Sequence, residues 1–166
     1  MILLPHWTEE MVIESFAMKY TVEELKTLSK AVMDRDYEVY SALVHRRQPG
    51  FCEIIDEIAY DPRCVTAHRF CIIFCGLAFA FAERFTGVRI PKFSDYAIHE
   101  ISGFIARGDV ARIGKRACSY RERIRRHVLT RERFDEEDTE WLCTTLATFC
   151  YLVEKALEES RKRAQK

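Results

Sequence analysis

Residues 70–82 read FCIIFCGLAFAFA, the longest apolar run of the chain. The run contains 13 residues, whereas a helix that spans a bilayer needs about 20. Arg69 precedes it, and Glu83 and Arg84 follow it. We therefore interpret this run as the buried central helix of a soluble protein that has no membrane partner. Glu83 is the carboxylate that we expect to be partly buried, with the following loop or Arg84 as its partner.

Length and composition favour helices in the rest of the chain as well. The protein has 166 residues, the size of one domain, and a chain of this length buries about two-thirds of its unfolded surface. Six glycines and four prolines supply little of the turn material that a sheet protein needs. These observations predict an all-α fold, a compact single-domain bundle of six or seven helices over residues 1–166. We expect a short basic tail, 161–166, that can fray.

Capping and turn residues set the expected helix boundaries. Thr21 followed by Glu24 forms a capping box, and Gln48-Pro49-Gly50 interrupts the helical pattern. Glycine follows the predicted helices at positions 87 and 108. We predict helices that begin at Thr8, Thr21, Phe51, Asp61, Ser94, Asp109 and Phe134. The last helix is expected to bury residues at helical spacing, namely Trp141, Leu142, Leu146, Phe149, Leu152, Val153 and Leu157.

Charge is unevenly distributed along the chain, although the formal net charge is zero. Residues 107–133 contain ten Lys and Arg against three acids, and the tail 161–166 contains four basic residues. Residues 134–160 contain one basic residue and eight acids, several of them at the start of the last helix, where acids suit the helix dipole. The basic stretch is therefore the feature that points most clearly to a partner.

The basic stretch is predicted to form one amphipathic helix from Asp109 to Leu129. At 100° per residue its polar members fall within about a third of the circumference; they are Arg112, Lys115, Arg116, Ser119, Arg123 and Arg126. The opposite side holds the apolar residues Ile113, Ala117, Tyr120, Ile124 and Val128. The polar face, called the basic face below, is about 20 Å long at 1.5 Å per residue.

The basic face suggests a binding function without catalysis. Arginine recognises phosphate with two parallel hydrogen bonds, so the face can follow the phosphates of DNA or RNA with tolerance of sequence. We interpret the chain as an accessory subunit that contacts nucleic acid within a larger complex. Two alternatives stay open. The face can dock on an acidic protein surface, as in a regulatory or inhibitory protein, or it can simply be solvated, with the acids near Glu140 neutralising part of it. The pI near 7 is low for a dedicated nucleic-acid domain.

Seven cysteines, an odd number without framework spacing, indicate reduced thiols and a cytoplasmic protein. Cys64, His68, Cys71 and Cys75 follow one helical stripe at spacings of four, three and four, which makes them weak metal candidates. Cys64 and Cys75 are about 16 Å apart along a helix, so one ion cannot bind all four. A pair completed by Cys143 or Cys150 gives a third hypothesis, a thiol-based metal-binding bundle. We favour cysteines that pack in the core and a hydrogen-bonded His68.

Motifs for enzymes are missing. The chain has no Gly-x-x-x-x-Gly-Lys loop, Gly-x-Gly-x-x-Gly turn, Gly-x-Ser-x-Gly elbow or His-Glu-x-x-His pair. Asp95 and His99 lie one turn apart, which we interpret as a surface pair. We therefore expect no enzyme activity and no cofactor, and the sequence carries no signal for or against self-association.

Overall fold

The computed structural model describes residues 37–59, 65–131 and 136–166. These residues form six α-helices and no strand, which confirms the all-α prediction for the described part of the chain. The helices are α1 (Tyr37–Arg47), α2 (Pro49–Ala59), α3 (Val65–Thr86), α4 (Asp95–Arg107), α5 (Val110–Arg131) and α6 (Glu136–Ala164). The helix predicted from Thr8 and the first part of the one predicted from Thr21 lie outside the described residues.

Local capping signals locate the two ends of α4. Ser94 has an extended backbone, and its Oγ accepts a hydrogen bond of 3.1 Å from the Ala97 N–H. It is therefore the N-cap that the sequence predicted. Gly108 follows the helix with a φ of 64°, and its N–H donates to the Ile105 carbonyl. A positive φ favours glycine because a β-carbon would be strained there, so the predicted C-terminal boundary is also confirmed.

The start of α2 differs from the prediction. We expected this helix at Phe51, but it begins at Pro49, since proline at the first helical position has a suitable φ and needs no N–H partner. Gly50 is buried where α2 meets α4. A β-carbon on it would stand 2.7 Å from Asp95 Oδ1 and 2.9 Å from Ile98 Cδ1. The Pro-Gly pair thus starts a helix and permits close packing.

The core is shared between α3 and α6. α3 packs against α1, α2 and α6, whereas α6 packs against α3, α4 and α5. α3 buries Cys71, Ile72, Cys75, Ala78, Phe79 and Ala82. α6 buries Leu142, Leu146, Phe149, Leu152, Val153 and Leu157, as predicted, while Trp141 is partly buried. Among the described helices, none combines the length and the apolar composition that crossing a bilayer requires.

Three aromatic rings join distant segments inside this core. The Phe51 ring of α2 makes an edge-to-face contact with Phe149 of α6, with 4.9 Å between the ring centroids. Phe93, which precedes α4, lies 6.1 Å from Phe51 and 6.5 Å from Phe149, again edge to face. The cluster therefore connects α2 and α6 to the segment between α3 and α4.

The segment 87–94 is also fixed by Gln48, the residue between α1 and α2. Gln48 is 1% exposed. Its Nε2 donates to the Pro91 carbonyl at 2.9 Å, and its Oε1 accepts from the Phe93 N–H at 3.0 Å. One buried amide thus satisfies two backbone groups of a segment that has no secondary structure of its own.

Glu83 provides a second anchor for the same segment. Its carboxylate is 21% exposed, in line with the partly buried position that we predicted. It accepts two hydrogen bonds from Arg47, at 3.0 and 2.9 Å, and a third from the Ile90 N–H at 2.8 Å. The predicted loop partner is therefore Ile90. Arg47, which the sequence pattern did not single out, supplies the opposite charge.

Candidate nucleic-acid interface

The helix that carries the basic face is not continuous. We predicted one helix from Asp109 to Leu129, but α5 is interrupted at Gly114, which has φ 82° and ψ 162°. Glycine adopts this backbone conformation without the strain that a β-carbon would cause. Arg112 and Lys115 therefore do not lie on one regular helix. The prediction of a continuous basic face about 20 Å long is wrong, because the helix is interrupted between them. From Lys115 to Arg126 the helix is regular and about 16 Å long.

Four of the five residues predicted for the apolar side of α5 are buried, and the side chain of the fifth, Val128, lies outside the described residues. Ile113, Ala117, Tyr120 and Ile124 are each at most 8% exposed. They face the core because α5 packs on α4 and α6. Lys115 and the other members of the basic face therefore lie on the opposite side of the regular part of α5.

Two arginines of α5 are used within the molecule. Arg121 and Arg125 both form ion pairs with Glu140 of α6. Arg121 also donates to the Ala106 carbonyl at 3.2 Å. Glu140 thus neutralises part of the basic stretch, as the sequence suggested, but the arginines it binds are not members of the basic face.

The members of the basic face that the structure describes are accessible to different degrees. Arg112 and Lys115 are exposed, and Ser119 is half-buried. Within the described part of the chain, neither Arg112 nor Lys115 has a carboxylate at ion-pair distance. The Arg112 guanidinium lies 5.2 Å from the centre of the Phe104 ring, and Arg107 lies 5.4 Å from the same ring. The remaining members occupy helical positions, but their side chains lie outside the described part: Arg116, Arg123 and Arg126.

The cysteines of α3 lie in the core. Cys71 and Cys75 are fully buried, and Cys143 and Cys150 of α6 are 1% exposed. Burial raises the pKa of the Cys75 thiol well above its usual value, with further contributions from Cys71 and Cys150. Burial likewise raises the pKa of Cys143 to about 11. Metal binding and nucleophilic attack both need the thiolate, so these thiols are suited to packing. Cys64 lies outside the described residues.

His68 has a carboxylate partner instead of a sulfur ligand. Its Nε2 lies 2.9 Å from Asp56 Oδ1, while Asp56 Oδ2 lies 3.2 Å from His45 Nε2. His45 Nδ1 lies 2.7 Å from the Ser41 carbonyl, so both of its ring nitrogens face acceptors. Asp56 therefore joins α1 to α3. Among the described residues, no three His, Cys, Asp or Glu side chains are arranged to hold a metal ion.

Asp56→Ala is expected to lower the free energy of unfolding by about 0.5–1.5 kcal/mol, mainly because His68, which is 14% exposed, loses its acceptor. Urea unfolding at neutral pH measures this change. Glu57→Ala removes an exposed carboxylate from the next position of α2 and is the matched control, with an expected change within about 0.5 kcal/mol. Equal effects of the two substitutions would contradict a linking role for Asp56.

Grooves between the helices could not be seen in the sequence. One of about 380 Å³ lies between α5 and α6 and is lined by Ile113, Ala117, Glu158 and Arg161, among others. Another of about 390 Å³ lies where α2, α4, α5 and α6 meet, and His99 and Trp141 line it. His99 and Asp95 are both exposed, as predicted for a surface pair. The grooves depend on how helices pair, which helical periodicity does not reveal.

No family model matches the chain, and no similar protein is found among curated proteins or among solved structures. The assignment of a function therefore depends on the chain's own residues and their geometry.

Proposed function

We propose that this chain is a non-catalytic binding protein, an accessory subunit that contacts the phosphates of nucleic acid within a larger complex. The observation that carries the proposal is the division of α5 into a buried apolar side and exposed cations. Ile113 and Ala117 are buried, whereas Arg112 and Lys115 are exposed in a stretch with ten basic and three acidic residues. The contacts are assigned to Arg112, Lys115, Arg116, Ser119, Arg123 and Arg126.

Electrostatics determines the mode of binding. Arginine and lysine that neutralise phosphates release counterions, so affinity falls steeply with salt and depends little on sequence. Arg121 and Arg125 are excluded from the contact set because Glu140 already binds both. Ser119 adds a neutral hydrogen bond to phosphate at the middle of the face.

The overall charge favours a second candidate, a regulatory or inhibitory protein that docks on an acidic protein surface. A net charge of zero gives less long-range attraction to nucleic acid than a basic domain would have. Such an interface is expected to depend on a few dominant residues and to weaken less with salt. The metal-binding hypothesis has less support, since Cys71 and Cys75 are buried and their pKa values are raised.

The fold that carries the basic face is also proposed as a whole. We propose that residues 1–166 form one cytoplasmic domain, a bundle of six or seven helices around α3. Contacts of α3 with α1, α2 and α6, and of α6 with α4 and α5, support a common core.

A charge-reversal variant tests the function: Arg112→Glu, Arg116→Glu and Arg123→Glu in one chain. Fluorescence anisotropy with labelled single- and double-stranded DNA and RNA measures the affinity at about 50 and about 200 mM salt. Wild type is expected to bind all four with losses at the higher salt. The variant is expected to lose at least about tenfold in affinity at the lower salt, because repulsion replaces three phosphate contacts.

The matched control reverses three exposed cations away from α5, at Arg46, Arg89 and Lys92. It changes the net charge by the same amount, so a purely general charge effect would weaken both variants equally. That result, or failure of wild type to bind at low salt, would overturn the proposal. Circular dichroism verifies that both variants retain their helices.

A further inference from the structure

The groove between α5 and α6 brings two separate basic segments of the chain together. Ile113 and Ala117 from the start of α5 line it together with Glu158 and Arg161 from the end of α6. The first residues of α5 and the last residues of α6 therefore lie at the same end of the molecule. In the sequence these segments are separated by the acidic residues 134–160.

The end of α6 is helical. α6 continues to Ala164 and so includes most of the tail 161–166, which we predicted can fray. Its last turn contains three basic residues, Arg161, Lys162 and Arg163, and all three are exposed. Of the three, Arg161 lines the groove, and their helical backbone lowers the entropy lost when they bind a ligand.

A second group of cations lies at the start of α5 and the end of α4. Arg107, at the end of α4, and Arg112 stack on the same Phe104 ring, which is itself partly buried. Lys115 follows directly after the interruption at Gly114 and is exposed. Because Ile113 and Arg161 line the same groove, this group of cations and the group at the end of α6 belong to neighbouring helices at one end of the molecule.

We propose that these two groups of cations form one composite surface that binds double-stranded nucleic acid, with each group on the phosphates of one strand. The inference rests on the function proposed above and extends its site from α5 to the end of α6. The α6 contacts are assigned to Arg161, Lys162 and Arg163.

The interior of the groove favours a duplex over a single strand. Glu154, Lys155, Glu158 and Arg161 all line it, so its lining has no net positive charge to hold a single phosphate chain lying along the groove. A duplex places its two phosphate chains on either side of a minor groove about 6 Å wide, which suits cations carried by two neighbouring helices.

The groove is not suited to binding a single strand by base stacking. The Tyr120 ring is 1% exposed, and Lys155 lies 6.0 Å from the centre of the half-buried Tyr151 ring. Proteins that hold single strands generally need open aromatic faces for the bases. The two tyrosines that line the groove do not offer one.

Three neutralised variants separate this inference from the proposed function. One carries Arg161→Gln, Lys162→Gln and Arg163→Gln, a second carries Arg112→Gln, Lys115→Gln and Arg116→Gln, and a control carries Arg46→Gln, Arg89→Gln and Lys92→Gln. The probes are DNA and RNA duplexes of about 20 base pairs, which extend well beyond the site at 3.4 Å per pair, and one strand of each. Affinities are measured by anisotropy between about 50 and about 200 mM salt.

Wild type is expected to bind at least one duplex at least about tenfold more tightly than the matching strand. The α6 variant is expected to lose about tenfold in duplex affinity and to reduce the salt slope by about 2–3, since each phosphate contact contributes about 0.9. The control is expected to stay close to wild type. The preferred probe identifies the duplex as DNA or RNA.

Different results overturn different claims. If the α5 variant loses binding and the α6 variant binds as wild type does, the proposed function stands and the composite surface is wrong. If wild type prefers the single strands, the assignment to a duplex is wrong. If wild type binds no probe, the proposed function fails and this inference fails with it. Thermal unfolding of each variant confirms that the comparison is between folded proteins.

Discussion

Replacing Phe149 with alanine is expected to lower the free energy of unfolding by about 3–5 kcal/mol. The Phe149 side chain is 0% exposed, so the substitution removes a whole buried ring and leaves a cavity that close neighbours cannot fill. It also removes two edge-to-face contacts, with Phe51 at 4.9 Å and Phe93 at 6.5 Å. Such aromatic pairs contribute about 0.5–1.5 kcal/mol beyond their buried area.

Urea unfolding followed by circular dichroism measures the effect. Phe149→Leu, which keeps much of the volume but loses the ring contacts, is expected to cost clearly less than the alanine substitution. Tyr96→Ala is the surface control, because Tyr96 is 77% exposed, and should change stability by no more than about 0.5 kcal/mol. A Phe149→Ala protein as stable as the Tyr96 variant would show that the ring cluster does not hold the core together.

The sequence alone predicts that Phe149 is buried, but it does not predict which rings Phe149 contacts. Phe149 follows from the helical spacing of apolar residues in α6, which the sequence displays directly. Its partners Phe51 and Phe93 belong to other segments, and their contacts depend on how α2 and α6 pack. Helical periodicity identifies the buried face of one helix and leaves its neighbours undetermined.

Helix boundaries show the same division between local and distant causes. Ser94 and Gly108 were predicted because a cap is a property of a few adjacent residues. The break at Gly114 was not predicted, and an isolated glycine does not indicate one by itself, because it costs a helix only about 1 kcal/mol. The broken helix α5 packs against α4 and α6, and the sequence does not show this packing.

The sequence predicted the charge of the candidate site better than it predicted the geometry of the site. The excess of basic residues at 107–133 is a property of composition, and the buried side with Ile113 and Ala117 follows from spacing. Helical spacing placed Lys115 on the basic face and Arg121 off it, but it did not show that Glu140 binds Arg121. Nor does composition show that the start of α5 and the end of α6 adjoin, because that requires the two helices to pair along their length.

Glu83→Ala is expected to lower the free energy of unfolding by about 2–4 kcal/mol, the second large effect. The substitution leaves the Arg47 guanidinium, itself only 17% exposed, without its carboxylate. It also leaves the Ile90 N–H without the acceptor that now lies 2.8 Å away. Breaking one half of such a pair costs more than the pair contributes, because the remaining charge stays out of water. Glu53→Ala removes an exposed carboxylate from α2 and is the control.

A double-mutant cycle separates the ion pair from the other contacts of Arg47. Arg47→Ala also removes packing on Phe79, whose ring centre lies 4.7 Å from the guanidinium, and a 3.3 Å hydrogen bond to the Ile90 carbonyl. The double variant is therefore expected to be more stable than the sum of the single effects implies, by at least about 1 kcal/mol. Strict additivity, or a Glu83 effect no larger than that of Glu53→Ala, would mean that Gln48 and the Phe93 ring hold residues 87–94 without help from the ion pair. A clear coupling would identify the carboxylate beside the longest apolar run as the link between the first described helix and the segment that leads into α4.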